Sequence, residues 1–329
     1  MDTEREKFPR RIAVFAGGIL ILCAALYFLA FGARDRSAKP ELFVVGLTAA
    51  PADAIARIKT QGFIRASWAF NLALSFSGGA SKIRPGGYDL SRAMNAWEIA
   101  RVLARGPRSE WVVIPEGLRK EQIADILAER LGWTDAEKES WITKDTVPDS
   151  AHAEGVYFPE TYLIPKDDPP AAAAKRLRAQ FEEKFAPYAP EALTQDIKWD
   201  TLLKMASIIQ REAAGKDDMP LVSGILWNRL LVGMPLQADA TLQYARGKTE
   251  KGWWAPVKSG DKKINSPYNT YLRAGLPPHP ISNPGIEAIT AALRPAKTKC
   301  LYYLHDHLET IHCAATYAEH ERNIKQYLR

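Results

Sequence analysis

The feature that most constrains this chain is the run from Ile12 to Phe31, IAVFAGGILILCAALYFLAF, twenty residues without a charge. A helix rises about 1.5 Å per residue, so the run spans roughly 30 Å, the thickness of a bilayer's hydrocarbon core. A buried helix of a soluble protein is seldom so uniform. A cleaved signal peptide has an apolar core of only about 7–15 residues. No small-x-small cleavage site follows, because Phe31 and Ala33 stand at the key positions, and Cys23 is preceded by Leu22 where lipid attachment needs a small residue. The run is therefore expected to be one uncleaved transmembrane helix over residues 12–32. Arg5, Lys7, Arg10 and Arg11 precede it, and Arg34, Arg36 and Lys39 follow. That small positive-inside bias places residues 1–11 in the cytoplasm and the rest on the periplasmic side of the inner (cytoplasmic) membrane.

The remainder is an ordinary globular chain. With 47% hydrophobic and 25% charged residues, a wholly disordered protein is excluded. A length of 329 residues suits about two domains at roughly 150 residues each. Three cysteines without a CxxC pair exclude a zinc ribbon or a disulfide scaffold. The net charge of +6 is interspersed rather than blocked. It suits an anionic partner, a membrane face or a polyanionic polymer, without choosing between them. No nucleic-acid partner and no cofactor are expected.

After a polar linker (34–40), the pattern predicts a strand at Leu42–Gly46, helices at Pro51–Gln61 and Ser67–Phe76, and a Pro-Gly-Gly turn within Ile83–Leu90. A helix follows at Ser91–Arg105, with Ser91 as its N-cap and Gly106 as its stop. Trp111–Pro115 is strand-like, and Leu118–Leu131 is an amphipathic helix with Ile123, Ile126, Leu127 and Leu131 at helical spacing. These short elements fit a small α+β module over residues 40–165, and Lys166–Pro170 is the best internal linker. A second domain over 166–329 opens with helices at Ala171–Phe185, Trp199–Ala214 and Pro220–Leu231. It closes with a helix (Gly285–Leu293), a hairpin (Cys300–Ala315) and a helix (Tyr317–Leu328). Between them, Gly233–Pro284 reads as a loop rich in Gly, Pro and Asn. So long a structureless loop is unusual unless it is functional or hides short strands. Its Trp253, Trp254, Tyr268 and Tyr271 suit either a sugar-stacking groove or a cover for the domain core.

Glu212 is the candidate that chemistry selects. In a helix capped by Asp200 and stopped by Gly215, Met205, Ile208 and Ile209 lie on its face, so the carboxyl sits on an apolar stripe in the last turn. Desolvation and the negative end of the helix dipole both disfavour its anion, as a general acid requires. The alternative is a solvated glutamate at a frayed helix end, or one paired with Arg211 or Arg229.

The string KMASIIQREA around Glu212 resembles the signature helix of the endolytic murein transglycosylases, the MltG or YceG-like family. NRL (Asn228–Leu230), GMPLQADAT (Gly233–Thr241), SPYNTY (Ser266–Tyr271), GLPPHPISNPG (Gly275–Gly285) and AALRPAKT (Ala291–Thr298) follow in the same order. IRPGGYDLSRAMNAWEI, VVIPEG (Val112–Gly117) and EGVYFPETY (Glu154–Tyr162) match in the first half. The resemblance implies an α+β fold with a single N-terminal transmembrane helix, a membrane-proximal LysM-like module and a C-terminal α+β catalytic domain. It implies a lyase, a lytic transglycosylase that cuts peptidoglycan between N-acetylmuramic acid and N-acetylglucosamine and leaves 1,6-anhydro ends. Trimming or terminating nascent strands near peptidoglycan synthases would be its role in cell wall biogenesis. Glu212 takes the catalytic place. Gln210 stands where another acidic residue is common, and Ala240 where proline is usual.

Within the matching strings, Gln237, Asp239, Thr241, Tyr268, Asn269, Thr270 and Tyr271 either line a substrate groove or stabilise their own loops. His305, His307 and His312 lack the carboxylate or helical pairing of a metal site, so no metal is expected. Cys300 and Cys313 lie symmetrically about Asp306–His307, either bridged or as buried thiols. Two rival functions stay open. A hydrolytic muramidase would need a second carboxylate, for which Asp239 is the candidate. A catalytically silent glycan-binding scaffold would bind strands without cutting them.

Overall fold

The computed structural model describes residues 7–146 and 153–328, with the backbone alone for residues 7–14. Residues 1–6 of the expected cytoplasmic tail, with Arg5, lie outside the described residues. Helix α1 (Lys7–Phe31) carries the uncharged run as one continuous helix. Its apolar side chains stand open, with Phe15, Leu20 and Ile21 each 70% exposed or more. Among the described residues no helix is long and apolar enough to cross a membrane. The side chains of Ile12–Val14, which begin the run, fall outside that description.

The chain divides into two compact units, Met1–Trp111 with Leu163–Asp167, and Val112–Tyr162 with Asp168–Arg329. The first continues through β1 (Glu41–Val45), α2 (Pro51–Thr60), α3 (Ser67–Phe76), β2 (Gly86–Leu90) and α4 (Ala96–Arg105). Strand β3 (Ser109–Val113) leads the chain out, and β4 (Thr161–Pro165) returns it, as α5 (Lys120–Leu131) and α6 (Asp135–Ser140) intervene. The strand order is β1-β2-β3-β4. Strands β1 and β2 are antiparallel, with Glu41 opposite Leu90 and Val45 opposite Gly86. Alternation along them turns Phe43, Val45, Tyr88 and Leu90 inward. There Ile58 of α2, Phe70 and Leu74 of α3, and Ile99 and Leu103 of α4 complete a core in which none is more than 2% exposed.

The chain passes between the units three times, at Trp111–Val112, Tyr162–Leu163 and Asp167–Asp168. The third crossing falls in the expected linker. The first two have no linker composition, because there the chain passes along strands β3 and β4. Helix α4 also begins later than expected. Asn95 caps it, accepting Glu98 N–H while the Glu98 carboxylate accepts Asn95 N–H. Ser91 instead closes a turn, its hydroxyl accepting Ala93 N–H and donating to Ala38 O.

The second unit holds α5, α6, α7 (Pro170–Phe185), α8 (Ala189–Thr194), α9 (Trp199–Glu212), α10 (Met219–Leu231), α11 (Asp239–Arg246) and α12 (Ile286–Leu293). The hairpin β5 (Tyr302–His305) and β6 (Ile311–Ala314) and helix α13 (Tyr317–Tyr327) complete it. Helix α9 packs against α10, α11 and α12, burying Leu202, Met205, Ile208 and Ile209. Gly224 of α10 admits the segment that follows α12, since a Cβ there would overlap Ala296 O.

Three local expectations change. Asp200 does not cap α9; it sits in the first turn and pairs with Lys204 one turn on, at 2.6 Å. The long loop hides a helix, α11, rather than strands, and one further 3-10 turn at Asp261–Lys263. Cys300 and Cys313 are disulfide-bonded with Cα atoms 5.9 Å apart, but they do not face one another. Tyr303 pairs with Cys313, so the hairpin turns about Leu308 and Cys300 reaches across from before β5.

Candidate functional site

Glu212 is the last residue of α9, and the chain turns into extended backbone at Ala213. The periodicity that buries Met205, Ile208 and Ile209 leaves the glutamate half-buried at the end of the same stripe. Each carboxyl oxygen meets one donor. Ala240 N–H, in the first turn of α11, donates to Oε1 at 2.9 Å. The Tyr303 hydroxyl, from β5, donates to Oε2 at 2.8 Å. Burial pushes the carboxyl above its ordinary value; the two donors oppose this, the Asp239 charge reinforces it, and the Arg229 charge opposes it. Burial and Glu212 also keep the Tyr303 hydroxyl protonated far above the usual tyrosine range, so it stays a donor.

Neither arginine weighed as a partner is hydrogen-bonded to Glu212. Arg229 is buried, with Nε donating to Leu301 O at 2.6 Å and Nη1 donating to Leu236 O. It thus ties together the two arms that bring Tyr303 and Ala240 to the carboxyl. Arg211 lies on the Trp254 ring, 4.1 Å from its centroid, and Trp254 Nε1 donates to Gln122 Oε1 at 2.9 Å. Trp253 and Tyr244 sandwich Arg119 at 4.5 and 4.0 Å. The aromatic segment is therefore stacked on arginines as well as half-exposed. Gln210 accepts Gly285 N–H at 2.9 Å, securing the start of α12.

The polar residues of the matching strings separate into two groups. Asp239 is exposed and accepts the Tyr271 hydroxyl at 2.6 Å. Gln237 is also exposed, in the left-handed region at φ 48°, and Tyr268 is half-buried against Tyr244. Thr241, Asn269 and Thr270 are buried. The two threonine hydroxyls bond each other at 2.8 Å, and Thr270 accepts Ala238 N–H. Asn269 bonds Lys262 O, Ile264 O and Tyr271 N–H. These three hold the loop that presents Ala240 and Asp239. His305 and His312 pair with Asp218 and Asp306. Among the described residues no group of three potential metal ligands occurs.

A family model, the YceG-like family, matches residues 44–326. The chain belongs to the YceG-like family. This YceG-like chain is 30% identical to the endolytic murein transglycosylase of Bacillus subtilis, over 82% of its own length and 80% of that relative. It is 26% identical to an endolytic murein transglycosylase of Streptococcus pneumoniae, over 75% of its own length and about half, 51%, of that relative's. The crystal structure of a YceG-like protein from Listeria monocytogenes matches with a TM-score of 0.61 and 26% identity, over 86% of this chain and 98% of that one.

Two features of this YceG-like site were not visible in the sequence. Tyr303 and Ala240 N–H are brought to Glu212 by elements far along the chain. Glu154, which opens EGVYFPETY, is 2% exposed. It accepts Asn283 Nδ2 at 2.6 Å and Lys120 N–H at 3.1 and 3.2 Å. Burial, joined by the Glu121 charge, pushes its carboxyl up to about 8 against the Lys120 N–H and the Arg119 and Lys120 charges. The only sequence signal was its place in a matching string, EGVYFPETY; Asn283 comes from a separate one, GLPPHPISNPG.

Proposed function

We propose that this chain is a lytic transglycosylase that cuts peptidoglycan glycan strands endolytically, with Glu212 as its acid and base. One observation carries the proposal. A half-buried carboxyl at the end of α9 has one oxygen on Ala240 N–H and the other on the Tyr303 hydroxyl, and burial favours its protonated form. Such a group first protonates the glycosidic oxygen. The two fixed donors then stabilise the carboxylate that results. As a base it accepts the proton of the muramic C6 hydroxyl while that oxygen attacks C1, leaving a 1,6-anhydro end. The nucleophile belongs to the substrate, so the step has the advantage of proximity over bulk water. The names of the relatives support the activity and its substrate.

Mass spectrometry of digested glycan strands tests this. Products with 1,6-anhydro-N-acetylmuramic ends are expected. Predominantly hydrated, reducing ends would replace the mechanism with hydrolysis, and unshortened strands would replace it with a binding role.

The uncharged run in α1 is the membrane anchor in this proposal, with residues 1–11 cytoplasmic and the units periplasmic. The order β1, α2, α3, β2 with antiparallel β1 and β2 supports a LysM-like membrane-proximal module, followed by the catalytic domain. An endolytic cut made near the membrane suits trimming or termination of new strands beside a synthase.

A further inference from the structure

We infer that the face of α3 formed by Trp68, Leu72 and Phe76 rests on the bilayer surface that α1 enters. The inference rests on α1 being a membrane anchor and adds a second, surface contact to it.

Helix α3, SWAFNLALSF, contains no charge. Its other face is used, with Ala69, Phe70, Ala73 and Leu74 buried in the core of the first unit. Trp68, Leu72 and Phe76 recur every fourth residue on the opposite face and are 63%, 44% and 76% exposed. Three large apolar side chains in one exposed stripe call for an occupant, whereas scattered ones do not.

Continuity with α1 selects lipid. Phe31, at the end of α1, is buried edge-on against Trp68 at 5.6 Å and stacked on Trp97 at 5.7 Å. Phe76 meets the same Trp97 at 6.0 Å. The exposed apolar surface of α1, with Phe28 and Leu29 63% and 62% exposed, therefore runs through an aromatic joint onto α3. A tryptophan-marked face beginning where an apolar helix ends has the composition of a membrane–water interface. Its edge is basic. Arg101 and Arg105 line the recess that Phe76 and Trp97 also line. Arg101 Nε bonds Trp97 O, and neither arginine has a carboxylate partner among the described residues. Anionic headgroups would supply those partners.

The test uses the full chain in nanodiscs containing phosphatidylglycerol. Cys23→Ser removes the one free cysteine, since the other two are disulfide-bonded. A fluorescent probe is then placed by Leu72→Cys, by Ala52→Cys on the exposed N-terminal end of α2, or by Leu22→Cys within α1. Quenching by nitroxide-bearing lipid is read. The probes at 22 and 72 are expected to be quenched severalfold more than the probe at 52. Adding Trp68→Ser and Phe76→Ser should reduce quenching at 72 and leave it unchanged at 22. A probe at 72 no more quenched than that at 52, with 22 quenched, overturns the inference in favour of a protein occupant and leaves the anchor standing. No quenching at 22 overturns the anchor, and this contact with it.

Discussion

Glu154 and Glu212 belong to the same unit, and burial lifts both carboxyls above the ordinary glutamate value. Their surroundings differ in kind. Glu154 is sealed at 2% exposure, and its donors, Asn283 and Lys120 N–H, lie within one packed junction. Glu212 is half-buried at a helix terminus, with donors from two separate arms, α11 and β5. An elevated pKa alone would nominate either residue. Access separates them, because only Glu212 can both hold a proton and meet a polymer.

The largest effect that sharpens this contrast is Glu212→Gln. Glutamine keeps the shape and can still accept from Ala240 N–H, but it delivers no proton. Cleavage of purified glycan strands should fall by about 10²–10⁴-fold, and the thermal midpoint should change little. Near-normal cleavage by this variant would falsify the assignment.

Glu154→Gln should do the reverse, keeping cleavage and changing the pH dependence of stability. The sign follows from the two protonation states. The unfolded carboxyl ionises near 4.5 and the native one near 8. Between those values the native state holds a proton that the unfolded state has released. Stability therefore falls as pH rises from about 4.5 to about 8, by at most about 1.4 kcal/mol per unit from this group, and is level above. Denaturant titrations across that window should show a flatter profile in Glu154→Gln. An unchanged slope would mean that Glu154 is not held protonated.

The contrast also shows what the sequence could carry. The stripe through Met205, Ile208 and Ile209 is local, so the burial of Glu212 could be read from helical period alone. Nothing within a few residues of Glu154 marks it as buried, since its partner Asn283 lies 129 positions away. Tyr303 is likewise 91 positions from Glu212, and the Ala240 donor is backbone and has no side-chain signature. Most elements were legible because each carries its own apolar period or Gly stop. Helix α11 was not, being eight residues long amid Gly and Pro. The return of β4 to the first sheet was not either, because strand pairing over long separation leaves no mark in composition.

The arm bearing Tyr303 can be loosened separately. Replacing Cys300 and Cys313 by serine opens a covalent loop with a separation of 13 residues. Closing a loop of about 15 residues contributes roughly 3 kcal/mol. Denaturant unfolding should show a loss of that order in the non-reduced protein, with none on reducing the serine variant. Tyr303→Phe acts more gently. It removes a donor that favours the Glu212 anion, so the alkaline limb of the pH–rate profile should move up. Movement in the opposite direction would mean that the hydroxyl does not donate to Glu212.

The smallest effect is expected from Asp239→Asn, and it decides what kind of site Glu212 serves. A retaining hydrolase needs a nucleophilic carboxylate about 5–5.5 Å from its acid, and an inverting one needs a base farther across. Asp239 is the neighbouring charge that helps to raise Glu212, but its Oδ1 already accepts the Tyr271 hydroxyl at 2.6 Å. Asparagine can accept that hydroxyl equally well, so the loop should keep its form. Losing the charge should lower the Glu212 pKa slightly, moving the alkaline limb down. The loss of cleavage should stay below the roughly 10²-fold that is the lower end of what general catalysis contributes, and the ends should remain 1,6-anhydro. If Asp239 activated water or attacked carbon, its variant would instead be as inactive as Glu212→Gln, and the parent would release hydrated ends. Glu212 would then be one of a pair rather than acting alone.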